Sequence, residues 1–137
     1  MATAEKRCCN QLAELLQPVF IRYADILSAV YLFGSQASGE TTGRSDLDLA
    51  LLFKPSVVSS AASHRFTLFA EFSRVLKRDD IDLIILNTAK NLILQDEIVR
   101  TGILLYSDES NTRIEYELWV QHQALDFRFQ RKMAMGV

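Results

Sequence analysis

Two carboxylates interrupt an otherwise apolar run, Asp46-Leu-Asp-Leu-Ala-Leu-Leu-Phe53, and Pro55 closes it. The run reads as a β-strand, in which residues two apart share a face with Cα atoms about 6.7 Å apart. Asp46 and Asp48 then point one way, and Leu47 and Leu49 point the other way, into a core. Two bare carboxylates side by side repel by about 3 kcal/mol, at ~5 Å and an effective dielectric near ~20. A fold tolerates that pair when a cation lies between them. Mg²⁺ is small and hard, and it prefers carboxylate oxygens together with waters and phosphates.

The same anomaly recurs at Ile81-Asp-Leu-Ile-Ile-Leu86, a predicted third strand in which Asp82 interrupts an apolar run. If this strand lies beside the second, Asp82 can converge on the same site. Asp80 shares its face parity and competes for the role, although it sits in the Arg78-Asp79-Asp80 turn, where a carboxylate is unremarkable. A third feature is Gly34-Ser35, directly after a predicted strand Ala29–Phe33. Glycine lets the backbone approach a phosphate closely, and neighbouring amides and the serine hydroxyl can donate to phosphate oxygens. Gly-Ser after a strand and Asp-x-Asp in a strand are each common. Their conjunction across ten residues, Gln36 to Ser45, followed by Asp82 in a later strand, is specific.

The remaining pattern places these motifs. Leu12, Leu15, Leu16, Val19, Phe20, Tyr23, Ile26 and Leu27 recur at helical spacing, and Pro18 is expected to kink or divide that helix. Phe66, Phe69, Phe72, Val75 and Leu76 predict the apolar face of a second helix. Thr88 is a candidate cap for a third, with Ile93, Leu94, Ile98 and Val99 inward. Ile103 to Tyr106 reads as a short edge strand, and Thr112 with Glu115 has capping-box spacing for a last helix reaching about Arg131. On that helix Ile114, Leu118, Leu125 and Phe129 form one stripe spaced for packing on the domain. Tyr116, Trp119, Val120 and Phe127 are left on other faces as a candidate partner surface, and the spacing does not decide which set faces out.

With 137 residues, 49% of them apolar, the chain fits one domain, 1–137, with a real core. A net charge of −2 supplies no basic stripe for nucleic acid, so no direct nucleic-acid binding is expected. The adjacent Cys8 and Cys9 match neither a metal half-site nor a disulfide framework. The N-terminus lacks a signal-peptide core and no run is long enough to span a membrane, so a soluble, cytoplasmic protein is expected. His64 and His122 have no partners at zinc spacing, and Arg74, Lys77 and Arg78 read as a solvated helix end.

Gly34-Ser35-x₁₀-Asp46-x-Asp48 resembles the signature of the DNA polymerase β-like nucleotidyltransferase superfamily. The string Leu32-Phe-Gly-Ser-Gln-Ala-Ser-Gly39 … Gly43-Arg-Ser-Asp-Leu-Asp-Leu-Ala50 is similar to its minimal nucleotidyltransferase (MNT) branch, and the similarity spans most of the chain. Many relatives carry Arg where this chain has Ser38. The resemblance implies an α+β nucleotidyltransferase fold, a small mixed sheet of three or four strands flanked by four or five helices. It implies that Gly34 and Ser35 hold the β- and γ-phosphates of ATP, and that Asp46 and Asp48 bind the Mg²⁺ bridging them. Asp82 would share a second Mg²⁺ and help deprotonate the attacking hydroxyl, in two-metal fashion.

Such proteins are often antitoxins encoded beside a HEPN-domain toxin. The implied reaction moves AMP from ATP onto a tyrosine hydroxyl of the cognate HEPN ribonuclease, in a hetero-oligomer. The HEPN signature, Arg followed four to six residues later by His, is absent from this chain. After Asp82 only about two helices and a short strand remain to present an acceptor, which points to a protein acceptor. The alternatives are an antitoxin that acts by binding alone and a stand-alone transferase for a small hydroxylated molecule such as an aminoglycoside.

Overall fold

In the computed structural model, residues 4–34 and 46–135 are described, with backbone only for 4–9. Helix α1 (Ala4–Arg22) leads into strands β1 (Leu27–Phe33) and β2 (Leu47–Phe53). Helix α2 (Ala61–Leu76), strand β3 (Ile81–Ile85), helix α3 (Leu92–Thr101), strand β4 (Ile103–Ser107) and helix α4 (Thr112–Ala134) follow. Short 3₁₀ turns occupy Pro55–Ser60 and Leu86–Thr88. This is the expected α+β architecture, a four-stranded mixed sheet of order β3-β2-β1-β4. β1 runs antiparallel to both β2 and β4, and β2 runs parallel to β3.

The two central strands are almost wholly buried, which their predominantly apolar content predicts. Asp48 is the one residue of β2 that is not buried. On one face Leu47, Leu49, Leu51 and Phe53 join Leu83 of β3 and pack with Leu16 and Phe20 of α1 and Leu68 and Phe72 of α2. The Phe20 and Phe72 rings meet edge-on at 6.2 Å, a favourable aromatic geometry. On the other face Ala29, Tyr31, Ala50 and Leu52 pack with Leu86 and with Ile98 of α3, and Tyr116 of α4 closes over them. Alternation along β2 therefore puts Asp48 on the α3/α4 face of the sheet.

Several local expectations shift. α1 runs through Pro18 without a break, and Leu27, counted with the helical pattern, begins β1 instead. Phe66 and Ile93, assigned to inward faces, are 76% and 65% exposed. In α2 the buried positions are Ala61, Leu68 and Phe72; in α3 they are Gln95, Asp96 and Ile98. The cap of α3 is Asn91 rather than Thr88, its side chain accepting from the Leu94 amide at 3.1 Å. α4 has Asn111 at its N-cap position with no side-chain cap bond, so the Thr112/Glu115 capping box does not form.

Polar contacts fix α4 to the sheet. The Tyr31 hydroxyl donates to Glu117 at 2.6 Å, and Arg113 bridges Glu117 and the Ser107 hydroxyl. Tyr116 donates to Gln95 of α3 at 2.8 Å, and Arg128 donates to the buried Asp96 at 2.8 Å. Among the described residues no helix is long and apolar enough to cross a membrane.

Candidate active site

The parallel pairing of β2 with β3 sets Asp48 directly beside Asp82. Partners in a parallel ladder project to the same face, so the two carboxylates lie on the same side of adjacent strands. Asp46 stands just ahead of β2, exposed, two residues before Asp48. On the other flank of Asp48, antiparallel pairing brings in Phe33, partly buried on the same face. One row across the sheet thus reads Phe33, Asp48, Asp82. Phe33 is the contributor that the motif alone did not suggest; only the β1–β2 register assigns it.

Gly34 follows Phe33 immediately, in a turn with φ of +76°, where side chains are rarely tolerated. A Cβ on Gly34 would collide with Oδ2 of Asp48, so the glycine backbone lies against that carboxylate. Two separate sequence motifs therefore meet at one point. Ser35 and Ser38 lie outside the described residues.

The electrostatics distinguish the carboxylates. Burial raises the Asp48 pKa above its ordinary value, and the charges of Asp82 and Asp46 raise it further. Among the described residues no hydrogen bond or ion pair neutralises Asp48 or Asp82. Asp80 has the opposite environment. Arg78 donates to both its oxygens, at 2.5 and 2.6 Å, and this bidentate pair holds the Asp80 carboxyl below its usual value. The Asp80 carbonyl accepts from the Leu47 amide at 2.9 Å, which ties the start of β2 to the turn before β3. Asp80 is thus engaged by Arg78, whereas Asp82 pairs in register with Asp48. Of the basic residues read as a solvated helix end, Arg78 is the one in this turn, and Arg74 pairs with Glu71 at 3.1 Å.

Among the described residues no three acidic, His or Cys side chains stand close enough together to hold a metal ion by themselves. The donor chemistry still suits Mg²⁺, which is usually bound through one or two carboxylates with substrate phosphates and waters, not in an all-protein cage. Asp48 and Asp82 are such a pair, with no ion pair to either among the described residues, and the Gly34 backbone lies against Asp48.

Comparison with known proteins gives a consistent answer. A family model described as polymerase beta, nucleotidyltransferase matches residues 14–111. No curated protein matches in sequence. Among solved structures, a toxin–antitoxin with AMP-PNP is similar with a TM-score of 0.64 and 23% identity, over 93% of this chain and 95% of that one. A second is a tri-AMPylated Shewanella oneidensis HEPN toxin in complex with MNT antitoxin, with a TM-score of 0.59 and 20% identity over 96% of each chain. A third, the toxin–antitoxin MntA-HepT, has a TM-score of 0.58 and 20% identity over 93% of each chain. At these identities the likeness is one of fold.

Proposed function

The chain belongs to the polymerase β nucleotidyltransferase family, and we propose that it is the MNT antitoxin of a HEPN toxin, moving AMP from ATP onto a tyrosine hydroxyl of that toxin. The observation that carries this reading is the in-register Asp48/Asp82 pair with the Gly34 backbone packed against Asp48. Whole-length resemblance to structures of toxin–antitoxin complexes, one with AMP-PNP and one with an AMPylated toxin, supports the choice of donor and acceptor.

Mg²⁺ held by Asp46, Asp48 and Asp82, as one ion or two, would offset the triphosphate charge and make the acceptor hydroxyl more acidic. The chain's own residues set up the transfer. Gly34, with no side chain, leaves room for the β- and γ-phosphates close to the backbone, and the Ser35 hydroxyl is proposed to donate to them. Asp46 and Asp48 anchor the donor end of the site. Asp82, on the adjacent strand, takes up the proton as the tyrosine oxygen bonds to the α-phosphorus and the bond to the departing pyrophosphate breaks. Phe33 walls the row on its apolar side.

Transfer, not binding alone, is favoured because Asp48 and Asp82 stand in register on adjacent strands with no ion pair to either among the described residues, an arrangement a purely structural surface does not need. The test is incubation of the chain with labelled ATP, Mg²⁺ and its HEPN partner. Label on a toxin tyrosine, with loss of ribonuclease activity, is expected. A folded Asp46→Asn/Asp48→Asn variant should transfer nothing. Undiminished labelling by that variant, or full neutralisation without ATP, overturns the proposal.

A further inference from the structure

The start of β2 is held from one side. β1 ends at Phe33, opposite Asp48, so among the described residues Leu47 and Asp46 have no partner in β1. Their tie is to the turn before β3. The Leu47 amide, which belongs to the Asp46–Leu47 peptide unit, donates to the Asp80 carbonyl at 2.9 Å. Asp46 itself stands ahead of the strand and is exposed, so its placement next to Asp48 depends on that peptide.

The turn has an anchor of its own. α2 ends with Lys77 in the left-handed region, at φ of +54°, and the Lys77 and Arg78 amides both donate back to the Ser73 carbonyl. From this fixed point Nε and Nη2 of Arg78 reach the two Asp80 oxygens, at 2.5 and 2.6 Å. A guanidinium presents two donors in one plane, whereas an ammonium is a point charge that does not match a carboxylate in this way. The fork holds Asp80 by its side chain while the Asp80 carbonyl holds β2. Arg78 also lies within electrostatic reach of Asp46. Its hydrogen bonds to Asp80 raise the Arg78 pKa, burial opposes the rise, and the charges of Asp80 and Asp46 add to it.

We propose that Arg78 is a positioning residue for nucleotide transfer: by forking onto Asp80 it locks the turn that carries the Asp46–Leu47 peptide, and so sets Asp46 next to Asp48 and Asp82. The role is indirect and requires no contact with donor or acceptor. It rests on the proposed function.

The test compares Arg78→Gln, Arg78→Lys and Asp80→Asn in the full chain, first without metal. Amide exchange at Leu47, followed by nuclear magnetic resonance, should be about tenfold faster or more in all three than in wild type. The melting temperature should move by no more than a few degrees, since the bridge is part-exposed. With labelled ATP and the HEPN partner, all three should need about tenfold more Mg²⁺ for half-maximal transfer, the usual effect of removing a group that orients a metal ligand. The Arg78→Gln/Asp80→Asn double variant should do no worse than either single one, because both break the same link. Rescue by Arg78→Lys overturns the proposal, since charge would then suffice without the fork. A wild-type Mg²⁺ requirement in Asp80→Asn overturns it too, because any loss in Arg78→Gln would then come from direct action on the phosphates. A lower melting temperature with Leu47 exchange and Mg²⁺ requirement unchanged makes the bridge a stability element only, which also overturns it. A wild type that transfers nothing at any Mg²⁺ concentration overturns the proposed function and this role with it, whereas an active wild type with indifferent variants overturns this role alone.

Discussion

Burial, with Asp82 and Asp46 alongside, raises the Asp48 pKa in the folded chain, so this carboxyl prefers to be neutral where it stands. Because its folded pKa lies above the unfolded one, its contribution to stability is present below the ordinary carboxylate value. That contribution is lost as pH rises through the raised value. In the presence of a chelator, Asp48→Asn should therefore melt higher than wild type at neutral pH, and the gap should close as pH falls below about 4. Adding Mg²⁺ should raise the melting temperature of wild type more than that of the variant. Thermal melts across pH check both; a gap that widens on acidification contradicts the electrostatic account. Gly34 supplies a second test. With φ at +76° and the Asp48 carboxylate in the way of a Cβ, Gly34→Ala should cost about 1–2 kcal/mol in urea unfolding. It should also weaken Mg²⁺-ATP binding in calorimetric titration, and wild-type affinity would mean that the turn does not approach the nucleotide.

At the scale of elements, α4 is attached by polar contacts as much as by packing. Burial, and then the acceptor Glu117, push the Tyr31 hydroxyl pKa well up, so the bond stays a neutral phenol donating to a carboxylate. Tyr31→Phe should cost about 1.5–3 kcal/mol, the usual loss for a hydrogen bond to a charged group, read from denaturant midpoints. Tyr116 was grouped in the sequence with Trp119 as partner surface, yet it donates to Gln95 and packs on the sheet, while Trp119 is 51% exposed. Tyr116→Glu should collapse the melting temperature, whereas Trp119→Glu should leave it within a few degrees. The helices were legible in number and order because their apolar residues recur every three or four positions. Their inward faces were not. Phe66, Ile93 and Leu118 are as apolar as the residues that pack, and Asp96 is buried because Arg100 and Arg128 reach it from two helices. No window of sequence holds that information.

For the whole molecule, the strands were the most legible part, since a charge in a buried apolar run stands out. Asp46, Asp48 and Asp82 were singled out on that ground alone. That Asp82 pairs with Asp48, that Phe33 flanks it and that Arg78 occupies Asp80 all depend on strand register, which sequence spacing leaves open. Register has a further consequence for how the chain folds. β2 and β3 are joined through α2, so their pairing must be found across a long excursion. A slip of one residue along β3 would turn Asp82 toward the side where Leu83 meets Leu68 and Phe72, and would strand a carboxylate in hydrocarbon at a cost of several kcal/mol. A pairing offset by a single step thus cannot persist. The charged row that equips the edge of the sheet also rejects the nearest misfolded alternative, and the fold carries its own proofreading at the place where the chemistry is proposed to occur.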